Sequence, residues 1–316
     1  MNKHFRKILI LLFLPALLFI SCGQQKDAPV VADSSTQTVE PSFSAREFVT
    51  SYIADLANGN KVYPMDTFVE RMRAGEDLFV VDIRRAEDYA AGHVKGAVNI
   101  PWNTPALWED MAYLPQDKPV YLYCYSGQTA GQTLITMRMA GIESYSVNSG
   151  WNLGISRTEG YEEIVETTVN TLDRSKKNNA SPAALKAVQD YYESTFAFNG
   201  SPFANRHITE DDAKATLDAK DDSVMFISIC RPDDYSKGRI PTSINIPSGP
   251  GWNDAMAGLP TDKKLILNCY SGQGTNQFVV LLTLMGYDPL SLTFGMGTPR
   301  TAPRGWVNKG YEVETD

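Results

Sequence analysis

Apolar residues at helical spacing alternate along this chain with short runs rich in Val, Ile, Leu and Tyr. The spacing predicts helices over 45–56 and 65–74, a strand over 78–83 and a short strand over 97–100. A strand over 120–123, a helix over 130–140 and a strand over 144–147 follow. The alternation then returns, with helices over 183–195 and 210–219, strands over 224–229 and 265–268, and a helix over 275–285. Strands that alternate with helices predict an α/β fold, a parallel sheet with helices on both faces. Working residues in such sheets gather at the carboxyl ends of the strands.

The return is a duplication. Cys124-Tyr125-Ser126-Gly127-Gln128 recurs as Cys269-Tyr270-Ser271-Gly272-Gln273, and Val98-Asn99-Ile100-Pro101 as Ile244-Asn245-Ile246-Pro247. Met111 to Pro115 matches Met256 to Pro260, and Asp88-Tyr89 matches Asp234-Tyr235. A period near 145 residues is too long for a solenoid and matches a whole domain. The reading is two tandem domains, 44–165 and 182–316, joined by a polar linker over 166–181. Each cysteine segment joins a strand to a helix, where backbone N–H groups and the helix dipole favour an anion.

A basic start and an apolar run over 8–20 predict a secretory signal over 1–21, short for a membrane span. The residues up to Cys22 resemble a bacterial lipobox, with Phe19 where Leu is usual. That resemblance implies lipidation of Cys22, a flexible tether over 22–43, export, and anchoring to a bacterial membrane, at the periplasmic face of the outer membrane. Losing the signal removes Lys3, Arg6 and Lys7 and no acid, taking the formal charge from −8 to −11. So acidic a chain suits neither nucleic acid nor anionic lipid, so the lipid anchor is the expected link to a membrane.

Beyond Cys22 the cysteines are Cys124, Cys230 and Cys269. Three thiols cannot all pair within one chain, and domains of this size bury adequate cores without disulfides. His93 and His207 are the only histidines outside the signal. They are too few for a His-ligated metal, or for a Cys–His dyad in each repeat.

Val81-Asp82-Ile83-Arg84, followed by the run from Asp88 through His93 to Ala97, resembles the first signature of the rhodanese family. The segment 124–129 resembles that family's six-residue active loop, and 306–313 its closing segment; the similarity covers 62–161 and 207–314. The resemblance implies two rhodanese-like domains, each a central parallel sheet flanked by helices. It implies a sulfurtransferase whose cysteine takes sulfane sulfur from thiosulfate or another donor, holds it as a persulfide, and passes it to a thiol or other nucleophile. The partner would be a small sulfur compound or persulfide carrier, with no metal or organic cofactor. Cys124 would be the main catalytic carrier, with Cys269 a second catalytic cysteine that does the same or relays sulfur. Tyr125, Ser126, Gly127, Gln128 and Thr129, with Tyr270, Ser271, Gly272, Gln273 and Gly274, would bind substrate. The loop's physics agrees, because N–H groups can hold an anionic sulfur, Ser126 and Thr129 offer hydroxyls, and Gly127 permits a tight backbone.

Cysteine phosphatases need an Arg after five intervening residues, where this chain has Ala130 and Thr275, so phosphoryl transfer is disfavoured. Neither loop contains Lys or Arg. Family members that prefer thiosulfate commonly have basic residues there, and a neutral loop suits another persulfide carrier or a small thiol.

The second repeat departs from the signature: Ser228 stands for Asp82, Cys230 for Arg84, Arg239 for His93, and Gly274 for Thr129. In the first repeat Asp82 and Arg84 are expected to form a structural pair, and His93 to hydrogen-bond a turn. Cys230 ends a strand on the same sheet edge as Cys269. That supports an alternative, a thiol–disulfide or sulfenate redox protein using Cys230 and Cys269. A non-catalytic binding module is the other. The five tryptophans read as packing, Tyr125 and Tyr270 as the rim of a pocket mouth, and Glu210-Asp211-Asp212 as acids favouring a helix N-terminus.

Overall fold

The computed structural model describes residues 43–316, so the signal, the lipobox and nearly all of the tether lie outside the described residues. The first repeat runs α1 (Ala45–Asp55), β1 (Val62–Tyr63), α2 (Met65–Arg73), β2 (Phe79–Asp82), α3 (Ala86–Ala91), β3 (His93–Val94) and β4 (Val98–Asn99). It continues with α4 (Ala106–Glu109), β5 (Val120–Tyr123), α5 (Gln128–Met139), β6 (Ser144–Val147) and β7 (Val165–Glu166). The second runs α6 (Pro182–Phe196), β8 (His207–Ile208), α7 (Glu210–Asp218), β9 (Val224–Ser228), α8 (Pro232–Lys237) and β10 (Ile244–Asn245). It ends with α9 (Trp252–Ala255), β11 (Lys264–Asn268), α10 (Gln273–Leu284) and β12 (Asp288–Leu292).

Each repeat forms a five-stranded parallel sheet flanked by helices, with matching orders β1-β6-β5-β2-β4 and β8-β12-β11-β9-β10. The expected fold class is thus the one observed. β5 and β11 are central in their sheets, and β5 is buried along its whole length, which is why it reads as a continuous Val-Tyr-Leu-Tyr run.

One apolar core runs through both repeats. Helices α5 and α10 pack directly against each other, so close at Gly131 that a Cβ there would lie 2.6 Å from the Gln273 carbonyl oxygen. Both helices are buried nearly all round. Their polar residues are satisfied across the junction: Gln132 Nε2 donates to Asn276 Oδ1 (2.6 Å), and its Oε1 accepts from the Tyr191 hydroxyl (2.7 Å). The helix that opens each repeat crosses over. α1 packs on α9 and α10, where the Tyr52 hydroxyl donates to Gln277 Oε1 (2.8 Å). α6 packs on α4 and α5, with Tyr192 and Phe196 against Trp102 and Trp108.

The polar segment after β7 is laid along the first repeat as a strap. Arg174 makes a two-pronged ion pair with buried Asp110 (both 2.6 Å), and Asn178 Nδ2 donates to the Met111 and Leu114 carbonyls. No helix among the described residues is long and apolar enough to cross a membrane.

The acids at the start of α7 do more than favour a helix end. Glu210 is buried and accepts from Arg304 (2.7 and 3.0 Å), the Gly305 N–H (2.7 Å) and the Thr293 hydroxyl (2.9 Å). Burial raises its pKa, but Arg304 and the N–H donors outweigh it and hold the carboxyl below its usual value. A depressed carboxyl contributes stability above the unfolded pKa and loses it as pH falls through the folded value. Stability is therefore expected to drop below about pH 4. Glu210→Gln is expected to lower stability at neutral pH and to flatten that acid limb, as followed by urea unfolding across pH.

Candidate active site

Cys124 follows β5 and Cys269 follows β11, both at the carboxyl end of a central strand. In each loop the sulfur accepts a backbone hydrogen bond, Gly127 N–H to Cys124 Sγ (3.1 Å) and Gly272 N–H to Cys269 Sγ (3.2 Å). Both glycines have φ of +85°, left-handed backbone that a side chain would strain, and each caps the helix that follows. A second chain segment clamps each loop from outside. Trp151 N–H donates to the Cys124 carbonyl (2.7 Å), and Met296 N–H to the Cys269 carbonyl (2.7 Å). The residue before each clamp must be glycine: a Cβ on Gly150 would lie 2.4 Å from the Cys124 oxygen, and one on Gly295 2.2 Å from the Cys269 oxygen.

The tyrosines are fixed alike. The Tyr125 hydroxyl donates to Asp88 and accepts from the Arg85 N–H, and that of Tyr270 donates to Asp234 (2.6 Å) and accepts from the Arg231 N–H (3.3 Å). Burial, helped by the neighbouring aspartate, raises both hydroxyls' pKa and keeps them protonated. Ser126 Oγ accepts from Gln128 Nε2 (3.1 Å), and Ser271 and Gly274 line a cleft with Cys269. Thr129 lies in the first turn of α5, where its carbonyl accepts from the Thr133 hydroxyl. Gly274 does lack the Thr129 hydroxyl, yet the hydroxyl of Thr275 lies 3.9 Å from Cys269 Sγ, at the very position where a phosphatase would carry its arginine.

The loops differ in what surrounds them. In the first repeat Asp82 and Arg84 form a buried pair (2.7 Å at the closest), Arg84 also donates to the Gly92 carbonyl, and its guanidinium lies 4.2 Å over the Trp151 ring. The second repeat replaces this cluster as a block, with Ser228, Cys230 and Met296 at the matching places. His93 is buried, stacked on Tyr89, with Nδ1 at 2.7 Å from the Tyr89 carbonyl, which makes Nδ1 the donor. It is held as a turn residue.

A cleft of about 790 Å³ opens over Cys269, lined by both repeats. Among the described residues its lining holds two arginines, Arg157 and Arg300, and no carboxylate. Each guanidinium donates to a backbone carbonyl of the other repeat, Arg157 to Arg300 (3.3 Å) and Arg300 to Leu153 (2.9 Å). Neither arginine belongs to a cysteine loop; both lie on other segments that only the fold brings over Cys269. Small residues keep the cleft open. Ser248 N–H donates to the Ile229 carbonyl as Trp102 N–H donates to that of Ile83. Ser149 N–H meets Gln273 as Phe294 N–H meets Gln128. The Cys269 side thus has two serines where the Cys124 side has Trp102 and Phe294.

Cys230 lies at the end of β9, beside β11, with an unpaired, buried thiol. Burial, reinforced by the nearby Cys269, pushes its pKa up to about 12, so it stays protonated near neutral pH.

A family model described as the rhodanese-like domain matches residues 65–154 and 209–296, one match per repeat and more than half of the chain. The chain belongs to the rhodanese-like family. Among rhodanese-like relatives, the Bacillus subtilis protein YqhL is 34% identical over 84 residues, 26% of this chain and 65% of that protein. The thiosulfate sulfurtransferase GlpE of Pseudomonas putida is 35% identical over 85 residues, 26% of this chain and 74% of that one. A probable adenylyltransferase/sulfurtransferase, MoeZ of Mycobacterium tuberculosis, is 28% identical over 112 residues, 34% of this chain but only 28% of its own length. This rhodanese-like chain therefore spans less than two thirds of YqhL and under a third of MoeZ.

Proposed function

We propose that this protein is a sulfurtransferase that carries sulfane sulfur as a persulfide on Cys269, with Cys124 as a second carrier, and takes it from a small anionic sulfur compound. The observation that carries the reading is Cys269 Sγ, held by the Gly272 N–H, in a cleft whose lining among the described residues has two arginines and no acid. Family membership and the sulfurtransferases among its relatives support the same class of chemistry.

The thiolate attacks the outer sulfur of the donor. A new S–S bond forms on Cys269, the donor's old bond to that sulfur breaks, and the donor remnant leaves with the electron pair. The persulfide anion then lies where the Gly272 N–H and the start of α10 meet it. An acceptor thiolate next attacks the terminal sulfur, the bond to Sγ breaks, and the Cys269 thiolate is restored. Arg157 and Arg300 orient the anionic donor and stabilise its leaving group. Cys230, kept protonated by burial, is the weaker nucleophile of the two, so the attacking sulfur is assigned to Cys269. In this proposal the N-terminal signal exports the chain and a lipid on Cys22 tethers it.

Arg157→Ala and Arg300→Ala are each expected to raise KM for an anionic donor such as thiosulfate by about tenfold, with a smaller change in kcat. Steady-state kinetics with a neutral organic polysulfide in parallel should show little change. Equal losses with both donors, or none with either, would remove the arginines from substrate binding.

A further inference from the structure

We infer that Gln128 and Gln273 are reciprocal positioning residues, each holding the other repeat's cysteine loop in the shape that presents an N–H to sulfur. Both carboxamides are buried, and both cross the junction between the repeats. Gln273, four residues after Cys269, borders the Cys269 cleft and reaches across it to the segment that clamps Cys124. Its Oε1 accepts from the Ser149 N–H (2.9 Å), and its Nε2 donates to Ser146 Oγ (2.8 Å) and the Val147 carbonyl (3.2 Å). Ser149 leads directly into Gly150 and Trp151, the clamp on Cys124. The same carboxamide lies against Gly127, whose N–H holds Cys124 Sγ; a Cβ on Gly127 would be 2.5 Å from Gln273 Oε1.

Gln128 repeats the arrangement in part: its Nε2 stays in its own loop, donating to Ser126 Oγ (3.1 Å), and only its oxygen crosses the junction. Its Oε1 accepts from the Phe294 N–H (3.2 Å), one residue before Gly295 and two before the Met296 clamp on Cys269. A Cβ on Gly272, whose N–H holds Cys269 Sγ, would be 2.8 Å from Gln128 Oε1. Neither glutamine is bonded to the sulfur of its own loop. Gln273 makes three bonds across the junction and Gln128 one, so the hold on Cys124 is the stronger. The duplication thus serves more than copy number: each loop is completed by the other repeat.

The test is the alkylation rate of each thiol by iodoacetamide, read by peptide mass spectrometry from about pH 6 to pH 10. It needs no sulfur donor, so it succeeds or fails independently of the transferase reading. Gln273→Met keeps the volume and removes the hydrogen bonds. It is expected to change the Cys124 rate about fivefold, the size of one buried hydrogen bond, and to move the midpoint of that thiol's pH profile. Cys269 should change by less than about twofold. Gln128→Met should move the Cys269 profile by less than Gln273→Met moves that of Cys124, and Ser126→Ala serves as its control for the bond lost within its own loop. Gln277→Met is the control: Gln277 lies in the same junction but bonds Tyr52 and the Asn60 carbonyl, so it should lower stability without moving either profile. If Gln273→Met does not fold, Ser146→Ala removes one partner of the carboxamide and should shift Cys124 alone, by less. Each substitution altering only its own loop's cysteine, or Gln277→Met moving both profiles equally, would overturn the inference.

Discussion

Cys269→Ser is expected to lower sulfur transfer by at least about a hundredfold, and Cys124→Ser by less than about tenfold, in steady-state assays with a thiosulfate or persulfide donor. A hydroxyl at this position is a far weaker nucleophile than a thiolate and cannot hold sulfane sulfur. Completeness of the family signature would favour Cys124, which keeps Asp82, Arg84 and His93. The surroundings favour Cys269. Its cleft is lined by Ser149 and Ser248 and carries Arg157 and Arg300, while Phe294 and Trp102 take the serines' places on the Cys124 side. The signature residues missing from the second repeat, Asp82, Arg84 and His93, hydrogen-bond one another's loops and make no hydrogen bond to either sulfur. If Cys124→Ser proved the more damaging, the cleft would have no part in turnover and Cys124 would be the main carrier.

Asp82→Ala is expected to destabilise the protein by about 3–5 kcal/mol, because it strands a buried guanidinium. Arg84 has a side chain only 4% exposed, and its other partners, the Gly92 carbonyl and the Trp151 ring, cannot neutralise its charge. The matching Ser228→Ala in the second repeat should cost no more than about 1.5 kcal/mol, since only hydroxyl contacts of 3.4 Å to the Cys230 N–H and Asn268 Nδ2 are lost. In thermal unfolding the first change corresponds to a fall in Tm of about 10 °C. A loss for Asp82→Ala no larger than that for Ser228→Ala would mean that the pair adds nothing. The same physics explains the second repeat: either partner removed alone leaves a buried charge, so the pair is absent together.

Local pattern carried much of this molecule. The duplicated Cys-Tyr-Ser-Gly-Gln segments, the strand runs and the flanking helices were legible because each is defined over a few consecutive residues. Partner choice was not. The apolar face of α1 announces burial but does not say that α10 of the other repeat covers it. Gln128 and Gln273 read as members of a substrate loop, and nothing in that pattern says that each carboxamide also bonds across the junction. Arg157 and Arg300 carry no local signal, and a search for basic residues inside the cysteine loops could not reach them. The linker over 166–181 read as polar and patternless, yet Arg174 and Asn178 strap it to α4 and the turn after it, because irregular segments can be ordered by side-chain bonds alone. The serine-for-aromatic exchange beside Cys269 was visible in the aligned repeats, but only the fold gives those positions a meaning.

Sulfane sulfur carried on a cysteine of these loops leaves a mass signature. The most direct test is the intact mass of the protein after incubation with thiosulfate, and separately with a persulfide donor, for the native chain, Cys269→Ser and Cys124→Ser. A gain of one sulfur atom is expected, reversed by a reducing thiol and lost chiefly in Cys269→Ser. No gain with either donor, in protein whose thiols still alkylate, would contradict it.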